Sequence, residues 1–221
     1  MINNAVLIQH TYSNCNVFNP TFPDMQRLIY PRHSAYCASH RIDFWNLQGG
    51  KYPKMTGESG AWAKVGLVKE ALEDYEYVFW VDVDAAIMDF DTDLRDAVKD
   101  INIGGCVHDP AKSQFLKDNK IERHINVGVL YFKNTELTKE FVSAWFDAWP
   151  GPPRWADQGV FNALLKEMPK AVTELDDKWN STVNVNIVEK PVVLGWHGIP
   201  LHKRFLMMKE RLINDHLEFV V

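Results

Sequence analysis

Residues 77–91 read YVFWVDVDAAIMDFD. A run of β-branched and aromatic residues climbs directly into two acids, Asp82 and Asp84, and the chain then turns apolar again. Such a run predicts a strand buried on both faces. A strand of that kind needs a covering layer on each side, which restricts the chain to a few layered architectures.

The flanking sequence supplies those layers. AVLIQHTY (5–12) predicts a first strand, and a helix is expected to start near Pro31, a position where proline is tolerated. IDFWNL (42–47) predicts a second strand, followed by a Gly/Pro-rich loop to Gly60. Ala61, Val65, Val68 and Leu72 recur at helical intervals. The opening stretch is then the third strand. DTDLRDAVKD predicts a short helix capped by Asp91 or Thr92. INIGGCVHD and INVGVLYFK predict further strands, TELTKEFVSAWFDAW and WADQGVFNALLKEM further helices, and KRFLMMKERLIND a last helix after PVVLGWHG.

Strands alternating with helices define an α/β class with a mainly parallel central sheet flanked by helices. A length of 221 residues suits one such domain rather than two. In these sheets ligands bind beyond the carboxyl ends of the strands. Asp82 and Asp84 stand at the end of the most apolar one.

Composition excludes several classes. A net charge of −5 without a basic stripe argues against nucleic acid as a partner. Cys15, Cys37 and Cys106 are widely spaced and form no CxxC pair, so neither a disulfide framework nor a structural zinc site is expected, and a reducing compartment fits. MINNAVLIQHTY lacks the charged start and long apolar run of a signal peptide, and no segment reaches the roughly 20 apolar residues of a membrane span. The expected location is therefore cytoplasmic for the chain as it stands, or else the chain is a piece of a longer, anchored protein. Most of the eight tryptophans are expected to pack in the interior; the alternative is that some line a groove that stacks against flat apolar ligand faces.

On extended backbone, residues i and i+2 point the same way. Asp82 and Asp84 are thus expected to converge while Val83 faces the core. Converging carboxylates repel unless a positive charge lies between them. A hard divalent cation meets that need and keeps positions open for phosphate oxygens. The plainer alternative is a pair of acids that caps the following turn.

The stretch AWAKVGLVKEALEDYEYVFWVDVDAAIMD resembles the core of the GT-A glycosyltransferases, and most of all the galactosyl/mannosyl/xylosyltransferase family of yeast Golgi type. YCASHRIDFWN, INVGVLYFKNT, WADQGVFNALL, KWN and GWHG resemble further elements of that family, in order. The resemblance implies a single GT-A (Rossmann-like) catalytic domain over residues 1–221, with nucleotide binding in about 1–110 and acceptor binding in about 111–221. It implies Mn²⁺ or Mg²⁺ held by Asp84, by Asp82 (on the metal or the ribose) and by His197, with manganese suited by one imidazole among oxygens. The donor would be a UDP- or GDP-linked sugar, and the acceptor a glycan or glycoside. Gln9, Thr11 and Tyr12 would meet the base; Lys64, Lys203 and Arg204 the phosphates or donor sugar; Asn126, Gly128 and Asp109 the sugar. Asp157 and Gln158 would flank the anomeric carbon, with Asp157 as base if transfer inverts, or the pair as stabilisers of an oxocarbenium-like state if it retains, as the resembled family does. The sequence lacks that family's anchor and stem and its Gly-Cys ending after the His-Gly element.

Other classes fit less well. A haloacid-dehalogenase-like phosphohydrolase would use Asp82 as nucleophile, but Ala86 stands where that motif carries Thr. A sugar nucleotidyltransferase would need a Gly-rich, Arg-containing loop where QHTYSNCN stands. A non-catalytic carbohydrate-binding module would hold sugar through calcium on the acidic pair, with Trp155 and Trp196 alongside.

Overall fold

A computed structural model describes residues 4–11, 21–48, 60–149 and 156–218. Tyr12, Cys15, Trp155 and most of the Gly/Pro-rich loop after the second strand lie outside the described residues.

The central sheet has six strands. β1 (Ala5–Thr11) lies between β2 (Asp43–Gln48) and β3 (Tyr77–Val81), parallel to both. β6 (His124–Lys133) runs antiparallel to β3 on one side and to β5 (Ile103–His108) on the other. The edge strand β7 (Val172–Leu175) is parallel to β5. Five strands therefore share one direction and β6 alone is reversed. Reversal lets β6 present its beginning, rather than its end, beside the carboxyl end of β3.

Alternation along each strand divides the core. Val6, Ile8, Val78 and Trp80 pack under α2 (Ala63–Asp74), α4 (Glu136–Asp147) and α5 (Ala156–Glu167). Ala5, Leu7, Phe79 and Val81 face Tyr36 and Cys37 of α1 (Thr21–His40) and a small second sheet. That sheet joins β4 (Ala85–Ile87), β9 (Val193–Gly195) and β8 (Ser181–Thr182). A third cluster, with Met25, Val83, Trp196 and Met208, seats α6 (Leu201–Glu218) against α1. The short α3 (Gln114–Asp118) is capped by Ser113. Among the described residues no helix is long and apolar enough to cross a membrane.

Three local expectations are corrected. The helix expected to start near Pro31 begins at Thr21 and carries Pro31 in its interior. An interior proline costs about 3 kcal/mol, and contacts just beyond it offset that cost: Arg32 donates to the Ile87 and Met88 carbonyls, and Tyr36 donates to the Thr92 carbonyl. The single third strand is two, because the chain turns at Asp82–Ala85 and leaves the main sheet for β4. The next turn of helix is a 3₁₀ segment at Leu94–Ala97, capped by Asp93 rather than Asp91 or Thr92. Asp89 instead closes a turn, accepting from the Asp91 N–H and the Thr92 hydroxyl.

β6 is irregular where it matters. Its register with β5 jumps from Gly105–Leu130 to Val107–Ile125, so several β6 residues face a short span of β5. Bulges re-aim side chains, and this one carries Asn126 and Gly128.

Candidate functional site

The turn after β3 is held from two sides. The Asp82 N–H donates to the Gly128 carbonyl at 2.8 Å, and the Trp196 N–H donates to the Asp84 carbonyl at 2.9 Å. Within it, the Ala85 N–H donates to the Asp82 carbonyl at 3.0 Å. Asp82 and Asp84 thus meet through a turn and not as neighbours on an extended face, which corrects the simple alternation argument. Val83 does face the interior, among Met25, Ala86 and Trp196.

Each carboxylate has one oxygen already engaged. Asp82 Oδ1 accepts from Trp80 Nε1 at 2.6 Å and lies 3.5 Å from Lys64 Nζ. Asp84 Oδ2 accepts from the Arg204 guanidinium, while its Oδ1 lies 3.1 Å from His197 Nδ1. The ligand atoms of Asp82, Asp84 and His197 fall within 4.8 Å of one another. A divalent cation bonded at about 2.1 Å sets adjacent ligand atoms roughly 3 Å apart, which is the Asp84–His197 spacing. The donor set and its spacing therefore fit a divalent cation.

The charges reinforce one another. Burial raises the Asp84 carboxyl, but the charge and hydrogen bond of His197, and then Arg204, hold it well below the usual carboxylate range. Burial lowers the His197 imidazole, and Asp84 more than reverses this. Burial pushes Asp82 up, with Lys64 opposing. The ammonium of Lys64 is buried at 3% exposure, yet Asp157 and Asp82 overcome the desolvation and raise its pKa. It stays charged.

Lys64 links the acidic turn to α5. Its Nζ donates to the Val127 carbonyl at 2.8 Å, lies 3.2 Å from Asp157 Oδ2, and sits 5.4 Å over the Trp80 ring. Trp145 Nε1 donates to the Asp157 carbonyl at 2.8 Å. Next to it Gln158 Oε1 accepts from the Val127 N–H at 3.2 Å, and one turn further on Asn162 Oδ1 accepts from the Ile125 N–H at 2.7 Å. Two α5 amides thus satisfy backbone donors near the start of β6. Asn126 Oδ1 accepts from the Gly128 N–H at 2.9 Å and from Asn180 Nδ2 at 3.0 Å.

Asp82, Asp84, His197, Lys64, Asn126, Gly128, Asp157 and Gln158 form one connected group. The other residues singled out in the sequence lie around it. Thr11 reaches the rim of a cavity of about 170 Å³ that Lys64, Asp82, Asp84 and Arg204 line, and its hydroxyl donates to Gln26. Gln9 is buried beneath, 3.3 Å from His33. Tyr12 lies outside the described residues. Lys203 is exposed, and its neighbour Arg204 carries the contact to Asp84. Asp109 closes a turn by accepting from the Ala111 N–H.

Sequence reasoning missed three participants. His10 lines the same cavity as Asp82. Trp80 could have been found, since it precedes Asp82 by two residues and shares its side of the chain. Asn162 follows Gln158 by one helical turn. On the far side of His197 a second cavity, about 220 Å³, is lined by Asn126, Gln158, His108, Phe115 and Gly198. It shares Gln158 and His124 with a cavity of about 580 Å³ that runs along α5 toward β7.

This fold is that of the GT-A glycosyltransferases. A crystal structure of a glycosyltransferase involved in the glycosylation of the major capsid of PBCV-1 overlays with a TM-score of 0.69 at 14% identity, covering 93% of this chain and 99% of that one. A galactosyltransferase in complex with donor and acceptor sugar analogs overlays with a TM-score of 0.56 at 15% identity, covering 93% and 95%. The family resemblance holds as well: residues 5–103 match the galactosyl transferase GMA12/MNN10 family. Among curated relatives, an alpha-1,2-galactosyltransferase of Schizosaccharomyces pombe is 26% identical over 65% of this chain and 44% of its own length. A galactomannan galactosyltransferase of Cyamopsis tetragonoloba is 27% identical over 64% and 32%. A probable glycosyltransferase of Oryza sativa subsp. japonica is 29% identical over 65% and 29%. The chain spans less than half the length of each of these three.

Proposed function

We propose that this chain is a metal-dependent glycosyltransferase that moves a hexose or pentose from a UDP- or GDP-linked donor to a glycan acceptor, with retention at the anomeric carbon. The observation that carries this reading is the convergence of Asp82, Asp84 and His197 within 4.8 Å at the carboxyl end of the central sheet. It is joined through Lys64 to Asp157. Residues 1–221 act as one catalytic domain, with the donor in the Asp82 cavity and the acceptor on the Gln158 side.

Asp84 Oδ1, His197 and the outer oxygen of Asp82 would hold Mn²⁺ or Mg²⁺. When bound, such a cation stabilises the charge that develops on a departing diphosphate. Arg204 stays on the far oxygen of Asp84 and adds positive charge beside the phosphates, with Lys203 at the mouth. Asn126 and Gly128 lie on the bulge between the two cavities, where the donor sugar would rest. Gln9, Thr11 and Tyr12 are assigned to the base by their place in the sequence, at the end of AVLIQHTY.

The state of Asp157 supports retention. A general base must be free to take the acceptor proton, but Asp157 is buried and paired with the Lys64 ammonium at 3.2 Å. A retaining path needs no such base, because the leaving phosphate can accept that proton. Asp157 and Gln158 then present negative charge and an amide dipole to an oxocarbenium-like sugar.

Thermal shift with Mn²⁺ and a panel of UDP- and GDP-sugars tests the reading. Metal and one donor together should raise the melting temperature, and Asp84→Ala should abolish the rise. Absence of any stabilisation across the panel would refute it. Slow Mn²⁺-dependent release of UDP or GDP separates an enzyme from a carbohydrate-binding module.

A further inference from the structure

We propose that Gly195 is a positioning residue for His197. With Gly128 it closes off the Nε2 edge of the imidazole and so turns Nδ1 toward Asp84. The inference rests on the metal-site reading above.

The glycines are required by close approach. A Cβ built on Gly195 would lie 2.6 Å from His197 Nε2 and 2.7 Å from Cδ2. One on Gly128 would lie 2.5 Å from Cε1 and 2.8 Å from Nε2. Real Cβ atoms essentially never approach closer than 3.0 Å. Two backbones therefore press on the same edge of one ring. They belong to different sheets, since Gly128 is on β6 and Gly195 on β9. His197 sits in the seam where the small sheet meets the main one.

The nitrogens of the ring are unequal. Nδ1 lies 3.1 Å from Asp84 Oδ1. Nε2 is buried without a hydrogen-bond partner, and so is Asn180 Oδ1. Both face Gly195: its Cβ position falls 2.6 Å from the first and 3.4 Å from the second. Asn180 is itself anchored, because its Nδ2 donates to Asn126 Oδ1, which also accepts from the Gly128 N–H. With the Nε2 edge crowded by two backbones, Nδ1 is the ring nitrogen that faces Asp84 and the cation position. Outer partners of this kind typically tune metal affinity 10- to 100-fold.

Mn²⁺ alone, titrated into the purified chain and followed by loss of the free-ion EPR signal, reads the effect. Gly195→Ala and Gly128→Ala should each weaken binding about 10- to 100-fold. In a His197→Ala background each should change it by less than about twofold, since they act through the ring. Equal weakening with and without His197, or none at all, overturns the inference. Wild-type protein that takes up no Mn²⁺ overturns the metal-site reading and this inference together. Urea melting without metal gives a second readout: Gly195→Ala should lower the midpoint in the wild-type background and lose most of that effect beside His197→Ala, because its Cβ meets the ring. If Gly195→Ala fails to fold alone, its folding beside His197→Ala carries the test, and failure in both backgrounds overturns the inference.

Discussion

Two buried polar clusters meet near one end of the central sheet. Under α1, the Thr11 hydroxyl donates to Gln26, and Gln26 donates to Asn46 and to the Leu47 carbonyl. Nearby, His33 accepts from the Ile87 N–H and meets Gln9. This cluster is uncharged, and burial followed by the Arg32 charge pushes the His33 pKa down to about 3. Beyond the end of β3, Asp82, Asp84 and Asp157 face Lys64, Arg204 and His197. Here the polar atoms are ionic. In the neutral cluster Gln26 bridges Thr11, Asn46 and the Leu47 carbonyl and so fixes the packing of α1. Fixed charges held close together keep a capacity for another ion. The contrast separates a neutral network from an ionic one on physical grounds.

Substitutions should break the two clusters differently. Asp84→Asn should lower the rate of sugar transfer or donor hydrolysis by about 1,000-fold or more and erase Mn²⁺-linked stabilisation, as measured by initial rates and melting curves. Lys64→Met should cost about 3–5 kcal/mol in urea denaturation, since it strands buried acids. Gln26→Met in the neutral cluster should cost less, about 1–3 kcal/mol for the unpaired hydroxyl and amides it leaves.

Acid sharpens the contrast. The folded His33 pKa lies near 3, below the unfolded value of 6.5. Its contribution is fully present above pH 6.5 and is lost as pH falls toward 3, because the unfolded chain binds the proton first. Wild type should lose roughly 2 kcal/mol more than His33→Asn between pH 6.5 and 5, read as the difference between their urea midpoints in metal-free buffer. An equal pH dependence for both proteins would contradict a buried neutral His33. The smallest effect is expected for the exposed Lys203→Ala, within about 0.5 kcal/mol of wild-type stability. Arg204→Ala, which uncovers Asp84 Oδ2, should exceed it in the same assay.

Much of this was legible in the chain. The alternation of strands and helices defined the class, and the order of short motifs picked out the residues that the fold gathers around Asp84. These signals are local: a period of two or 3.6, an acid two places from another, a glycine beside an asparagine. What was misread depended on neighbours. Helix α1 runs on through Pro31 because distant carbonyls hold it, and β3 breaks at Asp82 because β4 finds its partner in β9.

By itself, then, the sequence determined an α/β layering, a carboxylate pair at a strand end, and which types of residue would attend it. Tertiary structure alone decided that a turn joins those carboxylates, that Arg204 reaches Asp84 from 120 residues away, and that Gly128 and Gly195 press on one imidazole edge. Propensity and periodicity are properties of short segments, written into the order of residues. The approach of two sheets is set by the packing of the whole core, and no local pattern records it.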